Sequence, residues 1–257
     1  MGIKFRLIVM NFLQYAIWGS WLISLGAYLG GGLDFTGLQI GSFFATMGVA
    51  SLFMPAVMGI IADRWIPAQK LLGICHLVSG GFLIAAASQT AYGPLYSCML
   101  LSVMFYMPTI ALSNSVAYNA LDLARLDTVK HFPPIRVWGT VGFIAAMWFV
   151  DLTHIGGVQI KLTEWQLYVS AVLSFLLAVY SFSLPGCPVD RNVKARSWVD
   201  TLGLRAFTLF KEKRMAIFFV FSMLLGAALQ ITNAFGDSYI QSFGSMPQYA
   251  DSAIVKH

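Results

Sequence analysis

The sequence predicts an all-α integral membrane protein, a bundle of about seven transmembrane helices. Three observations carry that prediction. The 257-residue chain is 58% hydrophobic and only 11% charged, and its mean hydropathy is +0.73, so polar groups cannot cover a water-facing surface. Its apolar residues gather into runs of about 20, the length of a hydrocarbon-spanning helix. Between the runs lie polar connections whose basic residues favour one side. Hydrocarbon offers the backbone no partner, so each run is a helix that satisfies its own peptide groups.

Taken in order, the first run spans Leu7 to Leu29, after Lys4 and Arg6. It resembles a secretory signal, but it is long, has no clear small-x-small cleavage site and precedes further spans, so it reads as an uncleaved first helix. The next runs are Gly37 to Ile61, Leu71 to Ala87, Leu95 to Tyr118, Pro133 to Val150, Gln166 to Leu184 and Met215 to Phe235. The tail from Gly236 to His257 reads as an outer connection toward an eighth helix. Residues 1–184 are therefore expected to form a six-helix bundle, 185–214 a central loop, and 215–257 the seventh helix with its following segment.

Orientation follows from charge, because cytoplasmic connections accumulate Lys and Arg. Lys4 and Arg6, Arg64 and Lys70, Arg125 and Lys130 occupy the amino end, the second connection and the fourth. The sixth connection adds Arg191, Lys194, Arg196, Arg205, Lys211, Lys213 and Arg214. Opposite them stand only Lys161 and Lys256, with Arg136 at the edge of the fifth run. The amino terminus is thus expected in the cytoplasm. Within the sixth connection, Trp198, Leu202, Ala206 and Leu209 recur at helical spacing behind Ser197, a candidate N-cap; a short amphipathic helix and a solvated linker both fit.

Several classes are excluded or unsupported. The net charge of +5 is scattered rather than gathered into a nucleic-acid motif. Cys75, Cys98 and Cys187 show no CxxC spacing and imply neither a disulfide framework nor a metal site. No metal-spaced cluster or nucleophile–base pairing suggests an enzyme. Six helices, a basic loop and one more helix form instead the layout of a two-halved transporter cut shortly after its second half begins. Such halves build their solute site between them, so an incomplete site is expected.

Polar residues in hydrocarbon need a reason. The stretch Gly59-Ile-Ile-Ala62-Asp63-Arg64 resembles the G-x-x-x-D-R signature of the major facilitator superfamily. Gly59 would permit close helix approach, and Asp63 and Arg64 would form part of a cytoplasmic gate. The signature's later glycine is Ile66 here and its basic cluster is reduced to Lys70. A plain charged helix end is the alternative.

In the fifth run, Arg136, Thr140 and Phe143 at i, i+4 and i+7 put a cation, a hydroxyl and a ring on one face. That face suits a polar, ring-bearing solute, unless Arg136 snorkels to the surface and the others pack. In the seventh run, Gln230 and Asn233 share a face, and their carboxamides either read donors and acceptors or knit helices together. A small ligand touching both Arg136 and Gln230 needs boundaries or tilts that differ from these runs, because Arg136 sits near the inner edge and Gln230 roughly 22 Å along its helix. Gln14, Trp18 and Trp21 in the first run, and Tyr106, Thr109, Ser113 and Asn114 in the fourth, repeat the face logic, with structural packing as the alternative. His76 is open to proton relay or to hydrogen-bonded packing. No carboxylate lies mid-span, so a coupling group would have to lie beyond residue 257.

Three stretches carry a more specific resemblance: Phe12-Leu-Gln14-Tyr-Ala-Ile-Trp18-Gly-Ser-Trp21, Phe132-Pro-Pro-Ile-Arg136-Val-Trp-Gly-Thr140, and Lys213-Arg-Met-Ala-Ile-Phe-Phe through Leu229-Gln230-Ile-Thr-Asn233. The chain resembles, over essentially its full length, the bacterial nucleoside:proton symporters of the major facilitator superfamily. The resemblance implies nucleoside uptake across the inner membrane by alternating access, with the proton as coupling ion, no other cofactor and a monomeric carrier. It also implies that Arg136, Thr140, Phe143, Gln230 and Asn233 contact the nucleoside. A carrier for another small solute, such as a sugar or drug, would share the layout, and a membrane scaffold or receptor would need no wet cavity.

Overall fold

The computed structural model describes residues 2–189 and 210–242. Its main helices are α1 (Ile3–Gly19), α2 (Gly37–Arg64), α3 (Ala68–Ala87), α4 (Tyr92–Leu123), α5 (Thr128–Leu152), α6 (Trp165–Ser181) and α7 (Lys213–Ser242). Among the described residues, α2, α3, α4, α5 and the Lys213–Asn233 part of α7 are long and apolar enough to cross a membrane, while α6 is a shorter apolar helix of 17 residues. The proposed amphipathic helix around Trp198, Leu202, Ala206 and Leu209 lies outside the described residues.

The first span corrects its expected form. Instead of one helix from Leu7 to Leu29, α1 stops at Gly19, and a turn leads into the short helix Leu25–Ala27 and a π-helical stretch, Tyr28–Gly32. At the break the Ser20 hydroxyl donates back to the Ala16 carbonyl at 2.7 Å, a local bond that bends helices. The Ser24 hydroxyl donates across to Gln166 Oε1 at 2.8 Å, tying the second piece to α6. Helical length exceeds expectation in α4, which reaches Leu123, and in α7, which continues past Phe235.

Helix α5 begins five residues before the expected Pro133. Asp127 is its N-cap and accepts from the Val129 and Lys130 amides at 2.9 and 3.3 Å, which satisfies first-turn donors. Prolines are commonest at the first helical position; here they sit inside the helix because a capping carboxylate upstream fixes the start. Thr36 opens α2 with a capping box to Gln39. Between α5 and α6, a two-stranded hairpin pairs His154–Ile155 with Val158–Gln159, and Gly156 and Gly157 take the positive φ values of 61° and 84° that its tight turn requires.

Packing is organised around α1 and α3. Helix α1 lies against α5 and α6, α3 lies between α4 and α6, and α2 packs along α4. The α1–α5 seam is unusually close: a Cβ at Gly142 would collide with the Phe12 backbone, and one at Gly19 with the Phe143 backbone. Small residues that bring two backbones together drive helix association where lipid removes the hydrophobic incentive. Gly59 differs from expectation here, since nothing lies within 4 Å of where its Cβ would be; it does not mediate a close helix approach.

The start of α1 and the end of α6 meet at the end that carries Lys4, Arg6, Arg64, Lys70, Arg125 and Lys130. There the Arg6 guanidinium donates to the Ser183 carbonyl, and the Tyr180 hydroxyl donates to the Arg6 carbonyl at 3.1 Å. The segment after α6 folds back over the same end: the Cys187 amide donates to Gln69 Oε1 at 2.9 Å and Asn119 Nδ2 to the Gly186 carbonyl at 3.2 Å. Burial pushes the Cys187 thiol up from its ordinary pKa, against the lowering effect of its hydrogen bonds with Gln69 and Asn119.

Candidate functional site

The glycine seam sets the geometry of the site. Because Gly139 and Gly142 face α1, the neighbouring face of α5, with Arg136, Thr140 and Phe143, is turned toward α7. From α7 come Gln230 and Asn233. Those five residues, with Tyr15 and Trp18 of α1 and Leu22 of the turn that follows it, line one cavity of about 220 Å³. The stretch Arg136 to Phe143 runs roughly 10 Å along α5, a length over which a two-ring solute can reach contacts at different depths. The start of α5 at Thr128 also sets Arg136 about two turns inside its helix rather than at the edge.

The Arg136 guanidinium carbon stands 3.7 Å from the centroid of the Tyr15 ring. That is a cation–π contact, and no carboxylate pairs with this arginine among the described residues. The ring fixes the plane of the guanidinium and leaves it available for directed hydrogen bonds.

A second cavity, of about 840 Å³, adjoins the first, and Trp18, Gly226 and Gln230 belong to both linings. Its other walls come mainly from α2, α4 and α7 and include Phe44, Met47, Met107, Met223 and Phe235. Flexible, polarisable methionines suit a surface that adapts to shape. Small-molecule sites commonly run from about 300 to 1,000 Å³, so the polar lobe alone is small and gains useful size by joining its apolar neighbour. Where they meet, the Trp18 Nε1 and Gln230 Nε2 donors are buried without a protein partner. A buried donor left unpaired costs about 1 to 3 kcal/mol, so these two atoms mark a place that asks for an acceptor.

The weaker candidates separate. Gln14 does not line either cavity. Its Nε2 donates to Thr109 Oγ1 at 2.7 Å, its Oε1 accepts from His76 Nε2 at 2.8 Å, and its carbonyl accepts from the Tyr106 hydroxyl at 2.6 Å. This cluster joins α1, α3 and α4 in the interior, and only His76 Nδ1 in it lacks a partner. The Ser113 hydroxyl bonds the Ile110 carbonyl of its own helix, Asn114 keeps a buried Oδ1 unpaired, and Trp21 is core. Sequence reasoning placed the α1 face at Gln14, Trp18 and Trp21, whereas the cavity takes Tyr15, Trp18 and Leu22, one step round the helix. The missed signal lay in the glycines: Gly139 is pressed against Tyr15.

Of the expected gate residues, Gly59 and Asp63 line a separate cavity of about 260 Å³ with Asn119, Cys187 and Pro188, and Arg64 does not. Neither Asp63 nor Arg64 has a hydrogen bond or ion pair among the described residues. The described carboxylates are all partly or fully exposed, none in the interior of the bundle.

The model of the nucleoside H+ symporter family matches residues 1–256. The chain is 50% identical to xanthosine permease of Escherichia coli K12 over its whole length, covering 60% of that protein. It is 46% identical to nucleoside permease NupG of the same organism, again over the whole chain and 60% of the relative. The chain therefore spans about three fifths of the length of these relatives. Crystal structures of the nucleoside transporter NupG and of a point mutant of it superpose with TM-scores of 0.84 and 0.87 at 46% identity, covering 100% of this chain and 62% of theirs.

Proposed function

The chain belongs to the nucleoside H+ symporter family, and on that premise we propose that it forms part of a carrier that takes nucleosides into the cell with protons by alternating access. It is a multi-pass membrane protein with the major facilitator fold. The observation that carries the reading is the convergence of Arg136, Thr140 and Phe143 with Gln230 and Asn233 around one cavity. Ring, hydroxyl, cation and two carboxamides match a neutral solute with an aromatic base and a polyhydroxyl sugar. Donor and acceptor groups read the edges, and Phe143 offers a face for the base.

In this reading residues 1–184 are one half of the carrier, residues 185–214 the central loop and residues 215–257 the start of the other half. The basic residues gathered at one end favour a cytoplasmic amino terminus in a bacterial inner membrane. Gly59, Asp63 and Arg64 stand at that end, in the position of a gate. The carrier acts as a monomer, with the proton as its coupling ion.

Two measurements test this. Calorimetry on the purified product of the natural gene should detect binding of uridine or xanthosine, and a folded carrier that binds neither would remove the site. Cells carrying the natural gene, and no other nucleoside carrier, should take up labelled nucleoside until a protonophore is added. Uptake undiminished by the protonophore would end the coupling claim.

A further inference from the structure

Trp18 stands where the polar and methionine-lined lobes meet, with its indole held on two sides. The Tyr106 ring lies 6.1 Å away in a tilted arrangement, and the Phe143 ring lies 6.5 Å away at 88°, edge to face. Both contacts pack the indole between α4 and α5. An indole can only donate, and its Nε1 is buried with no acceptor from the protein. Gln14, one turn back on α1, is engaged elsewhere: it spends its carboxamide on Thr109 and His76 and its carbonyl on Tyr106. From α7, Gln230 brings a second buried and unpaired donor, Nε2, to the lining shared by both lobes.

We propose that Trp18 is a solute-contacting residue whose indole N–H, together with the Gln230 carboxamide, holds a neutral hydrogen-bond acceptor of the solute at the junction of the two lobes. The inference rests on the reading of the cavity as a nucleoside site and adds to it a specificity element: a solute with no acceptor at that point leaves both donors unpaired. A site built to hydrogen-bond a solute atom discriminates against analogues that lack it, because its own buried groups are then stranded. The acceptor is an oxygen or ring nitrogen of base or sugar. The apolar lobe beyond it takes the less polar end of the molecule.

The test is calorimetry with uridine on the purified product of the natural gene, on its Trp18→Phe variant and on the same protein carrying the benzothienyl isostere of tryptophan at position 18, which keeps the bicyclic shape and removes only the N–H. Thermal unfolding checks that each variant is folded, and the isostere answers the question if Phe loosens the α1–α5 seam. Affinity should fall about three- to tenfold in both variants, the size expected for one neutral hydrogen bond. Deoxy and deaza analogues should locate the acceptor: the one that lacks it should bind wild type and isostere equally. Wild-type affinity for uridine in the isostere would overturn the proposal, leaving the indole as a packing residue hydrated at its N–H. Failure of the unmodified, folded carrier to bind uridine would overturn the nucleoside reading beneath it, a separate and recognisable result.

Discussion

Two polar clusters sit on adjacent faces of α1, and they are built to opposite rules. Gln14 faces inward to His76, Tyr106 and Thr109, where every donor finds an acceptor within the bundle. One residue on, Tyr15 and Trp18 face α5 and α7, where the Arg136 cation meets only a π-face and the Trp18 and Gln230 donors meet nothing. Polar groups inside a membrane bundle need a partner, and these two clusters differ in where it comes from: Gln14 is met by α3 and α4, whereas the unmet donors of Trp18 and Gln230 belong to residues that line the cavities. The closed cluster ties α1 to α3 and α4; the open one lines the cavity proposed for the solute.

The largest expected effect breaks both clusters together. Gly142→Val places a branched side chain against the Phe12 backbone, which has no side-chain freedom with which to yield. Overpacking of this kind costs about 1 to 3 kcal/mol and occasionally more, and here the helices must separate. The variant is expected to lose most folded protein, measured by size-exclusion recovery and thermal unfolding in detergent. Recovery at the level of the unmodified chain would mean that the seam is not what positions the cavity.

Arg136→Lys attacks the open cluster alone. Lys keeps the charge and reaches the headgroups, so a mere interfacial anchor would tolerate it. A binding residue would not, because Lys lacks the planar donor fork and stacks less well on Tyr15. The expected loss is about 1.5 to 3 kcal/mol, tenfold or more in nucleoside affinity, with thermal stability unchanged. Calorimetry that returned wild-type affinity would leave Arg136 an anchoring role only. Gln14→Leu makes the complementary cut. It removes two interhelical side-chain bonds, each worth about 0.6 kcal/mol on average in a bilayer, so stability should fall by about 1 to 2 kcal/mol. Nucleoside affinity should stay within about twofold, and a tenfold loss would place Gln14 in the open cluster.

Much of this was legible in the sequence. Apolar runs gave the spans, because hydrocarbon forces every peptide group into a helix. The polar faces of α5 and α7 showed in spacing, since a cation, a hydroxyl and carboxamides have few reasons to recur there. What periodicity does not encode is the contact between helices. At the break from Gly19 to Ser24 one hydroxyl bonds the backbone and another crosses to α6, and the start of α5 depends on a cap that lies outside the apolar run. The choice of face on α1 turned on Gly139 and Gly142, whose meaning appears only when the partner helix is in place. Gln14 follows the packing alternative for a physical reason: the most polar residue of a span marks the face that must be satisfied, and neighbouring helices satisfy it.

The smallest effect is the sharpest probe of the open cluster, because it concerns a residue that need not touch the solute. Tyr15 is buried, 6% exposed, and its ring lies under the Arg136 guanidinium at 3.7 Å. Its expected role is to position that cation. A cation–π contact of this kind is worth about 0.5 to 2 kcal/mol, and only a part of it should reach the solute. Tyr15→Phe keeps the π-face and should bind nucleoside like the unmodified chain. Tyr15→Leu keeps apolar bulk but removes the ring's negative face, and affinity should fall about two- to fivefold, the lower part of the range that the lost contact allows. A packing role would also be rescued by Phe, so the deciding measurement is a double-mutant cycle. If Tyr15 acts through Arg136, Tyr15→Leu should have almost no further effect on affinity in an Arg136→Ala chain, because the group it orients is gone. If the two losses add in full, Tyr15 works on the cavity by some other route, and the cation–π contact is a consequence of close packing along the glycine seam.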